Sequence, residues 1–486
     1  MSDAQGNELK QGLSPRHIMF IAIGSAIGTG LFLGSASAIK LAGPSVIFAY
    51  MFAGMAVFMV MRALGEMVLH KPLHGSFGGY ASHYINPLAG FITGWTWIIA
   101  LMLVCIADVV AFSMYMQFWV PAEVFPPWLW SLGITLVVGG LNLCAVKMFG
   151  ELEFWLTLIK VSAICAMIIG GLYILFTGYS NVNASDLVSQ TAPSVTNLWA
   201  HGGMFPNGLV GFVSSFAVVM FAFGGIEIIG LTAAEAKDPE KNLPRAINSV
   251  PARILLFYVG TMFVILSLTP WTEITGGSSP LVQIAARLGI PGAAHILNIV
   301  VISAAVSAMN SDIFGNARMM FGLAHHNQAP KSFAKVSPSG IPVIPVMVMI
   351  VTMLFGVVMN YVYPDGLFFL VASMASFATV WVWLMILVTH WCMRKKMPEA
   401  EQQTLKFPIP LWPMGPVFAI AFMVLCICLL GINEGSRPAL YSGAIWIVLL
   451  VIVYNTVVKS KEIPLTTLAE GKAEAEASVN ESVEDD

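Results

Sequence analysis

The sequence predicts an all-α integral membrane protein with about twelve transmembrane helices, two of which are broken near their centres. Apolar residues make up 57% of the chain and charged residues 10%, whereas a soluble domain carries roughly 25% charged residues. Apolar stretches long enough to cross about 30 Å of hydrocarbon recur along the chain. Glycine-rich interruptions divide two of these stretches, at 24–30 and 223–227. A soluble globule is excluded, because the chain has too few polar side chains to cover one.

The predicted spans follow from the apolar stretches in chain order. They are 17–39, 45–69, 88–119, 127–147, 150–177, 208–234, 249–271, 291–322, 342–362, 366–392, 411–432 and 438–458. Segment 1–16 precedes them, and the acidic tail 459–486 follows them. The tail is rich in Glu and Ala and lacks the apolar residues needed to fold, so it is predicted to be a disordered cytoplasmic extension.

Lysine and arginine residues predict the orientation. With the N-terminus inside, the loops on the opposite side carry only Lys40, Arg287 and Arg437, while the remaining Lys and Arg outside the spans collect on the cytoplasmic side. The positive-inside rule then places both termini in the cytoplasm. An alternative for the N-terminus is a signal peptide, since a basic segment and an apolar run precede the small residues 35–38. The glycine interruption within that run argues against it.

The two interruptions point to a binding site. A broken helix in a bilayer leaves backbone groups without partners, which is tolerated where they line a cavity or hold a ligand. Breaks at corresponding positions in two halves of a chain mark the binding site of a secondary transporter. The N–H groups of Gly28, Thr29 and Gly30 are therefore predicted to bind a carboxylate. We expect Gly28 and Gly30 to tolerate no side chain, because the backbone must approach its ligand closely there and can need a positive φ.

Free carbonyls at a break attract an ammonium group. Those near Ala26, Phe221 and Gly224 are the candidates. Two breaks that meet near the midplane would hold both charges of a zwitterion. An α-amino acid fits this pattern better than a sugar, a metal ion or a lipid.

Ionisable residues within the spans need a reason, because charge at membrane depth is costly. Lys160 lies about ten residues into its span and so near the midplane, which fits a proton-coupling amine; the alternatives are snorkelling to an interface or pairing with Glu151 or Glu153. Glu227 beside the second break is a candidate proton carrier, gate hinge or structural acceptor. Asp108 either lines the pocket or pairs with a neighbouring helix.

Two further polar groups lie in the spans. Arg62 and Glu66 stand one turn apart and are predicted to form an internal ion pair. The patch at 310–312 is placed where it can hold an ion or the Lys160 amine.

Other chemistry finds little support in the sequence. The six cysteines lie in or beside apolar spans and are predicted to be buried thiols, with neither disulfide nor metal site. His70 and His74 have metal-like spacing, but Pro72 between them indicates a loop. No catalytic triad and no basic patch with interleaved aromatic residues is present, so an enzyme and a nucleic-acid-binding protein are poor fits. The predicted partners are a small-molecule substrate and the lipid bilayer, with no obligatory protein partner.

Five motifs stand out along the chain: GTGLF at 28–32, RALGEM at 62–67, GELEFW at 150–155, EAKDPE at 235–240 and PRAI at 244–247. Together they resemble the motifs of bacterial amino acid permeases of the amino acid–polyamine–organocation superfamily. The resemblance extends to about residue 460. FGGIEIIG at 223–230, together with Asp108, is most similar to the subgroup that includes proline-specific and histidine permeases.

The resemblance implies a five-plus-five inverted repeat, with 17–177 against 208–392, broken helices 1 and 6, and peripheral helices at 411–458. It also implies import across the inner membrane driven by protons, with no other cofactor. Lys160 matches the lysine that replaces sodium in proton-coupled relatives. Phe221 matches the aromatic residue that caps the substrate, with Phe223 as the near alternative.

Substrate specificity is left open by the resemblance. Relatives for aromatic amino acids commonly carry glutamate where this chain has the shorter Asp108. Specificity is expected in Asp108, Phe221 and Cys105, with proline or histidine as substrate. An exchanger or an aromatic or neutral amino acid permease is the alternative, and a channel or membrane enzyme fits least well.

Overall fold

Helices form all the regular secondary structure in the part of the chain that the structure describes. The structure, a computed structural model, describes residues 27–71, 73, 76–144, 146–178, 192–228, 239–274, 279–287, 292–338, 340–364, 366–432 and 434–460. Within these ranges each of the twelve predicted spans contains a helix. Eight helical stretches there are long and apolar enough to cross a membrane, and two more apolar helices are shorter. The predicted all-α membrane fold is therefore confirmed.

The α-helices of eight or more residues are numbered here in chain order; shorter α-helices, π-helical segments and 3₁₀ turns are left out. In the first half they are α1 (Ser35–Ala42), α2 (Val46–His70), α3 (Ser76–Tyr84), α4 (Pro87–Met116), α5 (Pro127–Asn142) and α6 (Val146–Thr177). In the second half they are α7 (Gly208–Ala222), α8 (Pro239–Asn248), α9 (Thr261–Leu268), α10 (Pro280–Arg287), α11 (Ala293–His325), α12 (Val343–Val362), α13 (Leu367–Lys396), α14 (Met414–Leu430) and α15 (Arg437–Val453). The inverted repeat that relates the two halves stays a prediction.

The structure describes residues 27–30 of the first predicted break and all of the second, 223–227. The chain bends at Ile27 and Gly28, and a π-helical turn over Gly30–Gly34 then leads into α1. In the second half α7 ends at Ala222, and the chain turns over 223–227. Gly225 has a φ of 92° in that turn, which a residue without Cβ adopts at no steric cost.

The central helix α4 packs extensively against α11 and α13, and the two helices that carry the breaks, α1 and α7, pack against each other. α11 also packs against α6. The outer surface is apolar: α12, for example, exposes Val351, Phe355 and Val358 along one face. Such a stripe is expected where the surrounding solvent is lipid, since lipid tails are as apolar as these side chains.

The predicted ion pair between Arg62 and Glu66 is wrong. Glu66 binds Arg394 of α13, whose Nε and Nη2 lie 2.5 and 3.0 Å from its two carboxylate oxygens, and it accepts from the Ile409 N–H at 2.6 Å. His390 Nε2 lies 3.0 Å from the same carboxylate. Spacing along α2 could not reveal these partners, because they lie more than 300 residues away in sequence.

Arg62 also finds its partners outside α2. It donates to Asn248 Oδ1 at 2.9 Å and to the Pro408 carbonyl. Its guanidinium carbon lies 3.6 Å from the centre of the Phe407 ring. Together with Glu66, it fastens the segment after α13 to α2.

The prediction of buried thiols holds only in part. Cys105 and Cys426 are buried, whereas Cys144 and Cys428 are exposed, which corrects the prediction for those two. Several other predictions lie outside the described residues. They concern Ala26, His74, the motif residues 229–238, segment 1–16 and the tail from 461.

Candidate functional site

The two breaks meet at a small cavity of about 30 Å³. Its wall comes from both breaks and from three helices. The lining residues are Gly28, Thr29 and Gly30 of the first break, Phe221, Ala222, Gly224, Gly225 and Ile228 of the second, Leu101, Val104 and Asp108 of α4, Ala308, Ser311 and Asp312 of α11, and Thr379 of α13. Pockets that hold small molecules measure roughly 300–1,000 Å³. A substrate therefore requires this cavity to widen.

The breaks approach each other most closely at Gly30. A Cβ atom added there would lie 2.6 Å from Ala222 Cα and 3.1 Å from the Phe221 carbonyl oxygen. Gly28 has more room, because a Cβ atom added to it would meet only Ala308 Cβ, at 3.9 Å. The contacts of Gly28 with the described residues therefore do not support the expectation that it tolerates no side chain.

The positive φ expected at Gly28 or Gly30 occurs instead at Gly225. The first break requires glycine at position 30 because the backbone of the second break packs closely against it. The second break requires glycine at position 225 because the backbone φ is positive there.

Backbone carbonyls at the second break already have partners. The Tyr258 hydroxyl donates to the Ala222 carbonyl at 2.9 Å, and the Gly224 N–H donates to the Phe221 carbonyl at 3.2 Å. Each of these carbonyls has a second lone pair. Phe221 can therefore still accept from an ammonium group, as predicted for its carbonyl.

Asp108 connects α4 to the first break. The Thr29 hydroxyl donates to Asp108 Oδ1 at 2.5 Å, and both residues are buried. Sequence reasoning left open whether Asp108 lines the pocket or pairs with a neighbouring helix. In the structure it does both, because it borders the cavity and binds the broken first helix.

Lys160 is fully buried and links three elements. Its Nζ donates to the Ile27 carbonyl of the first break at 3.2 Å and to Ser307 Oγ of α11 at 2.8 Å. Ser307 in turn donates to Glu153 Oε1 at 2.6 Å, and Lys160 Nζ lies 4.0 Å from that oxygen. Snorkelling is excluded by this burial. The alternative of pairing with Glu153 coexists with the contact to the first break.

Glu227 does not line the cavity. Its two carboxylate oxygens accept from two indole N–H groups, that of Trp97 on α4 at 3.0 Å and that of Trp383 on α13 at 3.2 Å. All three side chains are buried. Glu227 therefore fastens the turn of the second break to two central helices.

The structure separates the two candidate aromatic residues. Phe221 lines the cavity and makes an edge-on contact with Phe368, with ring centres 6.1 Å apart. Phe223 is fully buried against Tyr50 and Tyr258 and is not part of the wall. Cys105 is also buried and lies outside the lining residues.

Sequence reasoning missed Ser307, Trp97, Trp383 and Thr379 as members of this site. It did single out 310–312, and two of those residues, Ser311 and Asp312, line the cavity. Asn310 instead accepts from Asn142 of α5 at 2.9 Å. The spacing of Ser307 and Ser311, one helical turn apart, was the available signal.

Two helix breaks that meet at a cavity within a helical membrane domain are typical of secondary transporters. Residues 17–462 match the amino acid permease family. This chain belongs to that family.

Relatives of similar length support the assignment. The chain is 44% identical over 450 residues to a Bacillus subtilis protein called "Uncharacterized amino acid permease YtnA", covering 93% of this chain and 95% of the relative. It is 41% identical to the Bacillus subtilis "Amino-acid permease AapA", with 93% and 96% covered. It is 42% identical to the "Aromatic amino acid transport protein AroP" of Escherichia coli K12, with 92% and 96% covered.

Proposed function

We propose that this permease imports an L-amino acid together with a proton across the bacterial inner membrane, with both termini in the cytoplasm. The family assignment supports amino acid transport, and the lysine and arginine distribution supports the orientation. The observation that carries proton coupling is the hydrogen bond from Lys160 to the Ile27 carbonyl.

The cavity supplies complementary groups for a zwitterion. The backbone of Gly28, Thr29 and Gly30 borders the cavity at the first break, just before the helix that leads into α1. The N–H groups and the helix dipole at this helix start favour a carboxylate. Across the cavity, the Phe221 carbonyl at the end of α7 favours an ammonium group. The substrate needs more room than this cavity of about 30 Å³ offers, so its binding would widen the cavity.

Proton coupling follows from the partners of Lys160. A protonated amine makes charge-assisted hydrogen bonds to Ile27 and Ser307, which are roughly twice as strong as neutral ones. Loss of the proton weakens the bond to Ile27 and so loosens the first break from α6. The protonation state of Lys160 and the conformation of the substrate-binding backbone are linked in this way.

Replacement of Lys160 tests the coupling. We expect Lys160→Ala to abolish accumulation driven by a proton gradient in proteoliposomes, while counterflow of labelled substrate between equal concentrations continues. Lys406→Ala is the control, because Lys406 is exposed and is not among the residues that line the cavity. Accumulation by Lys160→Ala under a proton gradient alone would contradict the proposed role.

The substrate is proposed from the same site. Resemblance favours proline or histidine as the substrate. The Escherichia coli relative, an aromatic amino acid transport protein by name, makes aromatic amino acids the second candidate substrate. Counterflow of labelled proline, histidine, phenylalanine and tryptophan distinguishes them. An exchanger would show stimulation by substrate on the opposite side without a proton gradient.

A further inference from the structure

Glu153 is a buried carboxylate on α6 to which the proposed function gives no task. It is 0% exposed, and its Oε1 accepts from Ser307 at 2.6 Å and from Thr157 at 3.3 Å. Its second oxygen, Oε2, is also buried and has no hydrogen-bond partner among the described residues. A buried carboxylate oxygen without a partner is costly, so it calls for an explanation.

Ser307 joins this carboxylate to Lys160 in a continuous chain of hydrogen bonds. Lys160 Nζ donates to Ser307 Oγ at 2.8 Å, and Ser307 Oγ donates to Glu153 Oε1 at 2.6 Å. The direct distance from Lys160 Nζ to Glu153 Oε1 is 4.0 Å, which is too long for a hydrogen bond. A hydroxyl can accept one hydrogen bond while it donates another, so Ser307 can pass a proton along this chain.

Glu153 lies closer than Lys160 to the N-terminal end of α6. The two residues stand two turns apart on one buried face of the helix, about 10 Å along its axis. Side chains on a helix point towards its N-terminus, which brings the long lysine side chain near the glutamate. Two residues before Glu153, the surface of α6 becomes partly exposed at Glu151. In the proposed orientation this end of α6 faces the cytoplasm, so Glu153 lies on the cytoplasmic side of Lys160.

We propose that Glu153 is a second proton-binding group, which takes the coupling proton from Lys160 through Ser307 and releases it towards the cytoplasm. In the transfer, the Ser307 hydroxyl proton moves to Glu153 Oε1 while an ammonium proton of Lys160 moves to Ser307 Oγ. The lysine becomes a neutral amine, the glutamate becomes a neutral acid, and the serine remains a hydroxyl. This inference rests on the proposed function, because it supplies the route by which a proton bound at Lys160 leaves.

Burial supports this transfer. An ammonium and a carboxylate are both costly in an apolar interior, and the transfer removes both charges in one step. The unpartnered Oε2 of Glu153 is available to a water molecule that arrives from the partly exposed end of α6 and carries the proton on. Neutral Lys160 then holds the Ile27 carbonyl less strongly, since its hydrogen bond is no longer charge-assisted.

The first test separates the hydroxyl of Ser307 from the shape of its side chain. Ser307→Thr and Ser307→Val have nearly the same shape, but only threonine keeps the hydroxyl. The measured quantity in proteoliposomes is the rate of uptake driven by a proton gradient divided by the rate of counterflow. The probe is whichever of labelled proline, histidine, phenylalanine and tryptophan exchanges fastest. We expect the ratio to fall about a hundredfold in Ser307→Val, as for loss of a positioned proton-transfer group, and to stay within about twofold in Ser307→Thr.

The second test replaces the proton acceptor. In Glu153→Gln the amide oxygen can still accept from Ser307, but it cannot take up the proton. We expect the same ratio to fall about a hundredfold. Thr157→Val is the matched control, because it removes a hydrogen bond to the same Oε1 and leaves the chain from Lys160 intact. A ratio in Glu153→Gln equal to that in Thr157→Val would overturn the proposal.

The outcomes distinguish this inference from the proposed function. If the unaltered protein exchanges an amino acid but does not accumulate it under a proton gradient, the proposed coupling fails. If accumulation is driven by protons but the ratios of Ser307→Val and Ser307→Thr are equal, the coupling stands and the route through Ser307 is refuted. If Glu153→Gln is not recovered folded, the comparison of the two Ser307 variants decides.

Discussion

Replacing Gly30 by alanine should separate the two breaks. The added Cβ atom would lie 2.6 Å from Ala222 Cα and 3.1 Å from both the Ala222 nitrogen and the Phe221 carbonyl oxygen. All three contacts are with backbone, so no flexible side chain can move aside. The walls must therefore shift by roughly 1 Å to restore ordinary contact, an overpacking strain of about 1–3 kcal/mol.

That strain acts on the closed arrangement of the cavity. If the substrate-bound state needs the same approach of the two breaks, about 1–3 kcal/mol lowers apparent affinity roughly 5- to 150-fold. We expect Gly30→Ala to reach the membrane in normal amount and to show this loss in counterflow of labelled substrate. Thermal unfolding in detergent measures the strain independently.

Gly28→Ala is the matched control, because it places the same methyl group two residues away against Ala308 Cβ at an ordinary 3.9 Å. Its melting temperature should equal that of the unaltered protein. A Gly30→Ala protein with unchanged affinity and unchanged melting temperature would refute the reasoning, and the first break would then be only a kink.

Two further predictions concern buried carboxylates. Glu66→Gln should cost about 3–5 kcal/mol of stability, measured by unfolding in denaturant, because it leaves buried Arg394 without its anion. The control is Glu240→Gln, which removes an exposed pair with Lys406 and should cost at most about 1 kcal/mol. Equal losses for the two variants would contradict a structural role for the Glu66 pair. Glu227→Gln should lower stability by about 1–3 kcal/mol, since its amide group must face one of two indole N–H donors. An unchanged melting temperature would mean that the contacts with Trp97 and Trp383 contribute nothing.

The sequence predicted the helices and their breaks because those features depend on local composition. Apolar length defines a span, and glycine marks the turn that interrupts a helix, as at Gly225. Lys160 and Asp108 could be located because a charge in an apolar span stands out. The size of the cavity and the exclusion of Phe223 from its wall depend on how the helices pack, which no local pattern records.

The errors share one cause. The Arg62–Glu66 pair was predicted from spacing along a single helix, yet Arg394 and Ile409 reach Glu66 from distant parts of the chain. Ser307 was overlooked because its spacing from Ser311 places both on one face of the helix but does not show that Lys160 lies opposite. Its role becomes visible only once α6 and α11 are side by side.

The position of Ser307 relative to Ser311 has a consequence for transport. The two hydroxyls stand one turn apart on α11, about 6 Å along its axis, and one binds Lys160 while the other borders the cavity. A rigid helix that slides or rotates must displace both hydroxyls together. If Lys160 carries the coupling proton as proposed, proton and substrate can influence each other without touching, because one helix backbone carries a contact for each.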